Sequence, residues 1–386
     1  MGGVLVHEWL ARTGGSENVF DAMVDAFPDA DLLCLWNDVP GRYPGRRLDE
    51  TWLARTPLRH RKALALAAMP ATWRRRRGEY DWALVSSHAF AHHVSFRDQP
   101  DDFAKLVYVH SPARYLWEPD LDERGRSVVA RGAAGPLRAL DRRRAAEADA
   151  IVANSHFVRE RVARSWHRED VSVIYPPVEV ARIAERADWT ADLTGTETRV
   201  LDDLPARFVL GASRMVPYKR LDLVIAAGDA AGVPVVIAGE GPELDRLRAV
   251  AERATVPVTF VGAPSSPMLY SLFQRCAAYV FPAVEDFGIM PVEAMAAGAR
   301  VVVGRTGGAV ESVVDGVTGV HVDFRDERAL ADAVGWCESA AGRASVARAW
   351  EFDRSRFVRD VQRHVAHFVT DAPTPSAHDE ARRAAR

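Results

Sequence analysis

Short apolar runs alternate with helix-forming segments along nearly the whole chain, and this rhythm restricts the fold more than any other feature. Val4 to His7, Leu32 to Trp36, Trp82 to Ser86, Leu106 to His110 and Ala150 to Ala153 read as buried strands in the first half. Phe208 to Ala212, Val233 to Ala238, Val258 to Val261, Ala278 to Pro282, Arg300 to Val303 and Gly319 to Val322 repeat the theme in the second. Parallel strands need a crossover, usually a helix, and strands covered on both faces read as continuous apolar runs. The expectation is an α/β fold of two doubly wound, Rossmann-like domains.

A chain of 386 residues can bury two cores of ordinary size. Paired prolines in Ile174-Tyr175-Pro176-Pro177-Val178 end a strand and stiffen the chain, which places the boundary there and divides it into domains 1–177 and 178–352. Phe357, Val358, Val361, Val365 and Phe368 mark a last helix, and Thr370 to Arg386 reads as a disordered polar tail. Open parallel sheets hold ligands beyond the C-terminal ends of their strands, so two such domains are expected to face a central cleft.

Glu285 and Glu293 stand eight positions apart across a strand-to-helix turn, Glu285-Asp286-Phe287-Gly288-Ile289-Met290-Pro291-Val292-Glu293. Free N–H groups at Phe287, Gly288 and Ile289 and the positive end of the helix suit a phosphate. The flanking carboxylates suit neutral hydroxyls, a sugar on one side and a ribose on the other. An ordinary turn with two solvated glutamates is the plain alternative.

Ser213-Arg214-Met215-Val216-Pro217-Tyr218-Lys219-Arg220 puts an arginine and a lysine on one loop. Lysine is informative because the chain holds only three among 50 basic residues, and Arg214 with Lys219 would neutralise a diphosphate as it leaves. Gly14 and Gly15 permit close approach of a phosphate to the first strand-helix turn, although the spacing is not a dinucleotide fingerprint. Gly239 and Glu240 follow another strand and would admit a base or ribose edge, or form a plain tight turn. His110, with Arg114, Tyr115 and Trp117 after it, suits a sugar packed on rings, or a core histidine satisfied by backbone.

His88, His92 and His93 lie close together, but no neighbouring carboxylate completes a metal site, so no metal is expected. Asp29-Ala30-Asp31 and Asp120-Leu121-Asp122 have a D-x-D spacing without the core-strand placement a metal-diphosphate site needs. Residues 51–78 hold eight Lys/Arg and no acid, a composition suited to anionic lipid or a diphosphate-bearing acceptor, or to a solvated arginine-rich helix. A formal charge of −3 argues against nucleic-acid binding, and three scattered cysteines fit a reducing cytoplasm. The expected location is cytoplasmic, with peripheral contact at the inner face of the cell membrane through 51–78.

Together these segments resemble the retaining glycosyltransferases of family 4, which have the GT-B fold. The resemblance runs from Val4 to Phe368 and rests on Ser86-Ser87-His88-Ala89-Phe90-Ala91, His110-Ser111-Pro112-Ala113-Arg114-Tyr115-Leu116-Trp117, Ala153-Asn154-Ser155, Ile174 to Val178, Ser213-Arg214, Pro217 to Arg220 and Glu285 to Glu293. Within that family the chain resembles GDP-mannose-dependent mannosyltransferases of O-antigen and exopolysaccharide assembly. The resemblance implies that Glu285 binds the donor sugar, Glu293 the ribose diol, and Arg214 with Lys219 the diphosphate. It also implies Gly14 and Gly15 against the phosphates, His110 near the anomeric carbon, no metal, and a helix at 353–369 that completes the first domain. Glu8, Ser111-Pro112-Ala113 and Glu118 depart from the common pattern, which bears on acceptor contacts.

The implied reaction is retaining hexosyl transfer, mannose from GDP-mannose to a glycan or lipid-linked glycan, in which the leaving diphosphate helps deprotonate the acceptor. A UDP-sugar donor, an epimerase or hydrolase of the same fold, and a nucleotide-sugar-binding subunit are the alternatives.

Overall fold

The computed structural model describes residues 2–118, 128–339 and 342–369. The tail 370–386 and Asp120-Leu121-Asp122 lie outside them. The chain forms two compact units, one of Met1–Pro177 with the segment from Ser355 onward, the other of Val178–Arg354.

The first unit is built on seven parallel strands: Gly3–His7 (β1), Asp31–Cys34 (β2), Leu48–Glu50 (β3), Trp82–Ser87 (β4), Ala104–Val109 (β5), Ala150–Ala153 (β6) and Val171–Val173 (β7). They lie in the order β3-β2-β1-β4-β5-β6-β7. Side chains alternate across the sheet, so β1 sends Val4 and Val6 into one core and Leu5 into the other. Both faces are therefore dry, and the helix Arg354–Val369 covers one with Phe357, Val361 and Val365. Gln362 fixes that helix by donating to the Ala26 carbonyl at 2.8 Å. The sequence reading missed β3, and it expected the strand that the paired prolines end, β7, without giving its bounds. Each is a three-residue edge strand at an end of the sheet, too short to show a period.

The second unit holds six parallel strands: Val209–Ala212 (β8), Val235–Ala238 (β9), Val258–Phe260 (β10), Ala278–Phe281 (β11), Val301–Gly304 (β12) and Gly319–Val322 (β13). Their order is β10-β9-β8-β11-β12-β13. In each sheet the order reverses at one place, between β1 and β4 and between β8 and β11. Loops at such a switch point splay apart beyond the strand ends and leave a crevice, where doubly wound sheets take their ligands. Val178 and Asp353 lie side by side where the chain enters and leaves this unit, with Val178 N–H donating to the Phe352 carbonyl at 3.0 Å.

The basic segment 51–78 is less free than its composition predicts. Acids distant in sequence come to it: Arg74 pairs with Glu147 at 2.6 Å and Arg59 with Asp38 at 2.8 Å. Lys62 lies 4.5 Å from the Trp9 ring. Arg55, Arg61, Arg75 and Arg77 stay exposed, beside Trp52 at 53% and Leu64 at 58% exposure. Among the described residues no helix is long and apolar enough to cross a membrane.

Candidate active site

The two loops at the switch point of the second sheet carry the charged residues singled out above. After β8 the chain runs through Arg214 into a short turn, Pro217–Lys219, opened by a proline that pre-sets its backbone angle. After β11 it reaches Glu285, then Gly288 at φ 91°, a left-handed conformation that glycine adopts without a Cβ penalty, and then the helix Ile289–Ala296. Lys219 and Glu285 meet directly through Nζ and Oε1. Arg214 is exposed and reaches the Tyr218 hydroxyl at 3.2 Å.

Glu293 lies one turn inside that helix. Burial pushes its carboxyl up to about 7, and Arg182 only partly offsets this. Arg182 also donates to the Tyr270 hydroxyl at 3.0 Å, and burial together with Glu293 pushes that phenol up to about 12. Glu285 and Glu293 both bear on Tyr279, held well above its ordinary value first by burial and then by the two carboxylates. Tyr279 donates to the Ala212 carbonyl at 3.1 Å, which ties β11 to the end of β8. The two glutamates thus converge on one strand end, as their spacing across the turn requires.

Backbone packing sets the loops. Gly239 has φ 130°, and a Cβ on it would stand 1.9 Å from the Ser213 carbonyl oxygen. Met215 N–H donates to the Glu240 carbonyl at 2.8 Å. Gly239 is therefore a glycine because the Arg214 loop lies against it, and the Glu240 side chain is exposed. Phe287 is buried against Phe352 with ring centroids 5.4 Å apart. It anchors the turn, leaving Gly288 and Ile289 at the helix start. Gly307 and Gly308 were not singled out by sequence, yet Gly308 N–H donates to the Glu285 carbonyl at 2.8 Å and a Cβ there would stand 2.1 Å from the Asp286 oxygen. The adjacent glycines after an apolar run carried the same signal as Gly14-Gly15. Arg182 gave none, being one arginine among many.

In the first unit, Gly14 caps the helix Gly15–Ala26. The buried Glu17 lies over it, accepting from Ser16 Oγ at 2.8 Å and from Ala11 N–H at 3.3 Å. A carboxylate thus sits where the glycines were read as phosphate contacts, so an anion arriving there must displace Glu17. His110 follows β5 and is largely buried, with Nε2 2.8 Å from Ser86 Oγ, and Ser86 Oγ is 3.0 Å from His7 Nδ1. Burial and the neighbouring His88 push the His110 imidazolium down to about 3, so the ring is neutral at physiological pH. A ligand would meet its Nδ1 side.

The expectation that no carboxylate completes a histidine cluster is corrected by the fold. Glu8 from the end of β1 reaches His88, and Asp141 from the helix Val128–Ala145 reaches His92 and His93. Neither carboxylate is near in sequence, which is why local spacing hid them.

The family model described as "Glycosyltransferase Family 4" matches residues 13–182 and that described as "Glycosyl transferases group 1" matches 201–345. A GDP-mannose-dependent alpha-(1-6)-phosphatidylinositol monomannoside mannosyltransferase of Mycobacterium tuberculosis is 31% identical, over 72% of this chain and 90% of that one. The chain belongs to glycosyltransferase family 4. This family 4 glycosyltransferase is also 28% identical to a D-inositol 3-phosphate glycosyltransferase of Mycolicibacterium smegmatis, over 64% of this chain and 61% of that one. Its GT-B fold is shared with Anabaena HepE solved with UDP-glucose, at TM-score 0.66 and 17% identity over 94% of this chain and 99% of that one. Sucrose-phosphate synthase from Thermosynechococcus elongatus gives TM-score 0.68 at 17% identity, over 96% of this chain and 100% of that one.

Proposed function

We propose that this glycosyltransferase moves mannose from GDP-mannose, with retention, to a glycan or lipid-linked glycan acceptor. The observation that carries the reading is the Lys219–Glu285 pair and the half-buried Glu293, with both glutamates on the loop and helix after β11 at the switch point of the second unit. The M. tuberculosis relative, whose name specifies GDP-mannose and a lipid-linked mannoside, supports the donor and the acceptor class.

In this reading a diphosphate takes over Lys219 with help from Arg214, while the sugar hydroxyls take over Glu285. Each lost half of the ion pair finds a new partner, so the exchange is close to neutral in the ground state. The negative charge that grows on the leaving diphosphate then meets a lysine already in place, which is stabilisation that strengthens along the reaction. Glu293 accepts from the ribose diol. Gly288 and Ile289 supply N–H groups, and for the first unit the family resemblance alone assigns His110 to the sugar and Gly14 and Gly15 to the phosphates, where Glu17 now lies over Gly14. The transfer step uses no metal. The exposed arginines at 55, 61, 75 and 77 with Trp52 and Leu64 give peripheral contact with anionic membrane, in a cytoplasmic setting such as O-antigen or exopolysaccharide assembly.

A thermal-shift titration with GDP-mannose, GDP, UDP-glucose and UDP-N-acetylglucosamine tests the donor, since a ligand bound only by the native state raises its stability. Stabilisation by the GDP compounds alone is expected. Preference for the UDP compounds would overturn the donor and leave the glutamate roles standing.

A further inference from the structure

His7, Glu8 and His88 converge at the switch point of the first sheet, between β1 and β4. His7 ends β1, and His88 follows Ser87, the last residue of β4. The chain bends at Glu8, which breaks the strand alternation and lets two successive side chains reach one place.

The three groups offer ligand atoms within 4.8 Å of one another. His7 is fully buried, with Nδ1 held by Ser86 Oγ, and its Nε2 is buried without a hydrogen-bond partner among the described residues. His88 Nδ1 is likewise buried and unbonded, 3.5 Å from Glu8 Oε2, beyond a good hydrogen bond. Glu8 is fixed from behind, its Oε1 accepting from the Ala89 and Ala91 N–H groups at 2.7 and 2.8 Å. Each orphaned buried nitrogen has lost its solvation without a compensating bond. One cation between them satisfies both nitrogens and the carboxylate together.

The second histidine cluster supplies the contrast. Asp141 accepts from His92 and His93 at 3.1 and 2.9 Å, and from the Trp117 and Trp166 indoles at 2.8 and 2.7 Å. Its oxygens are fully engaged and it serves as a structural node. In the second cluster only His93 Nδ1 is left unbonded, and it is the ring nitrogen that does not face Asp141; in the Glu8 cluster the unbonded His88 Nδ1 lies 3.5 Å from the carboxylate.

We propose that His7 Nε2, Glu8 Oε2 and His88 Nδ1 bind one divalent transition metal of the zinc class. Two imidazoles and a carboxylate form a zinc or iron(II) donor set. Ligand atoms about 2.1 Å from a tetrahedral ion stand about 3.4 Å apart, so the site closes by a small movement of His88, whose side chain is 23% exposed. The ion orients and does not react. With the metal on Nε2, His7 carries its proton on Nδ1 and donates to Ser86 Oγ. Ser86 then donates to His110 Nε2, which leaves the His110 proton on Nδ1.

The test uses untagged full-length protein, stripped with EDTA, incubated with zinc chloride and passed through a desalting column. Bound zinc is measured by atomic emission, and cobalt(II) is substituted for its visible absorption. The wild type is expected to keep about one equivalent, and His88→Ala and His7→Gln less than about a tenth of it, with intense tetrahedral cobalt bands only in the wild type. His88→Gln stands in if the alanine variant does not melt cooperatively. Wild-type protein that retains no zinc, or variants that retain as much as wild type, would overturn the site. Neither readout involves a nucleotide sugar, so the result is independent of the donor assignment.

Discussion

Lys219 and Glu285 neutralise each other across the loops that leave β8 and β11. Their side chains keep 10% and 21% exposure, so each would be poorly solvated alone. Removing one partner is expected to cost roughly 1.5 to 3 kcal/mol, the range of a charge-assisted bond. Urea unfolding of Lys219→Met, Glu285→Gln and the double variant checks this. The double variant should be more stable than the sum of the singles predicts, and additivity within about 0.3 kcal/mol would remove the pair from the argument. In turnover, Glu285→Gln should lower kcat with little change in GDP affinity, whereas Lys219→Met should weaken both.

Glu293 is expected to make nucleotide binding sensitive to pH. Burial raises its folded value to about 7, above the roughly 4.3 of an unfolded glutamate. The sign follows from linkage: the protonated form is favoured by the fold, so its stability contribution is full below the unfolded value and is lost as pH rises through about 7. A ribose diol donates to the ionised form, so GDP affinity should strengthen between pH 6 and 8 by about tenfold at most. Isothermal titration at several pH values on the wild type and Glu293→Gln separates the two. A slope that persists in the glutamine variant belongs to another group.

Gly239→Ala tests whether this glycine holds the Arg214 loop. A Cβ 1.9 Å from the Ser213 carbonyl cannot be accommodated without moving that loop, and the backbone at φ 130° is unfavourable for alanine. A loss of about 1 to 3 kcal/mol is expected, together with weaker diphosphate binding. Gly298→Ala has a positive φ of 93° but open space around its Cβ, so it should cost stability and spare binding. Equal effects on binding would assign both to backbone strain alone.

The sheet core was legible in the sequence because buried parallel strands are continuous apolar runs, and the grouping of Glu285 with Glu293 because a strand-turn-helix places both near one strand end. What stayed hidden depends on contacts between distant segments. Glu8 and His88, or Asp141 and His92, are joined only by the order of strands and helices, and Arg182 acts on Glu293 through its charge from a helix more than a hundred positions earlier. The D-x-D and glycine-pair signals were local, so they could mark turns without showing what packs on them. Glu17 over Gly14 is the clearest case, because a favourable phosphate turn in sequence is already covered by the chain's own carboxylate.

Asp141 is expected to dominate the stability of the first unit. Burial alone would raise its carboxyl, but His92 and His93 outweigh that and hold it below the ordinary range. Its stabilisation is present above the unfolded value near 3.9 and is lost as pH falls through the folded one. Asp141→Ala leaves two indole N–H groups and two imidazoles without their acceptor and should cost about 3 to 5 kcal/mol. Thermal melts should show the loss, and Asp141→Asn should recover part of it by accepting through its carbonyl oxygen. A loss under about 1 kcal/mol would mean that water replaces the carboxylate.

The basic segment gives the last prediction, because its charges divide into two classes. Arg74 donates to the His93 carbonyl at 3.0 Å and pairs with Glu147, so Arg74→Ala should lower the melting temperature and leave vesicle binding nearly unchanged. Arg75 and Arg77 are exposed, and juxtamembrane cations contribute about 1 kcal/mol each near an anionic surface. Arg75→Glu with Arg77→Glu should therefore weaken binding to phosphatidylglycerol vesicles at least tenfold, with GDP affinity intact. Trp52→Ala should add to that loss if the exposed ring enters the lipid interface. Cosedimentation at low and physiological salt reads both terms, since the cationic part falls with ionic strength and the apolar part does not. Vesicle binding that survives the double charge reversal would remove the membrane role from 51–78.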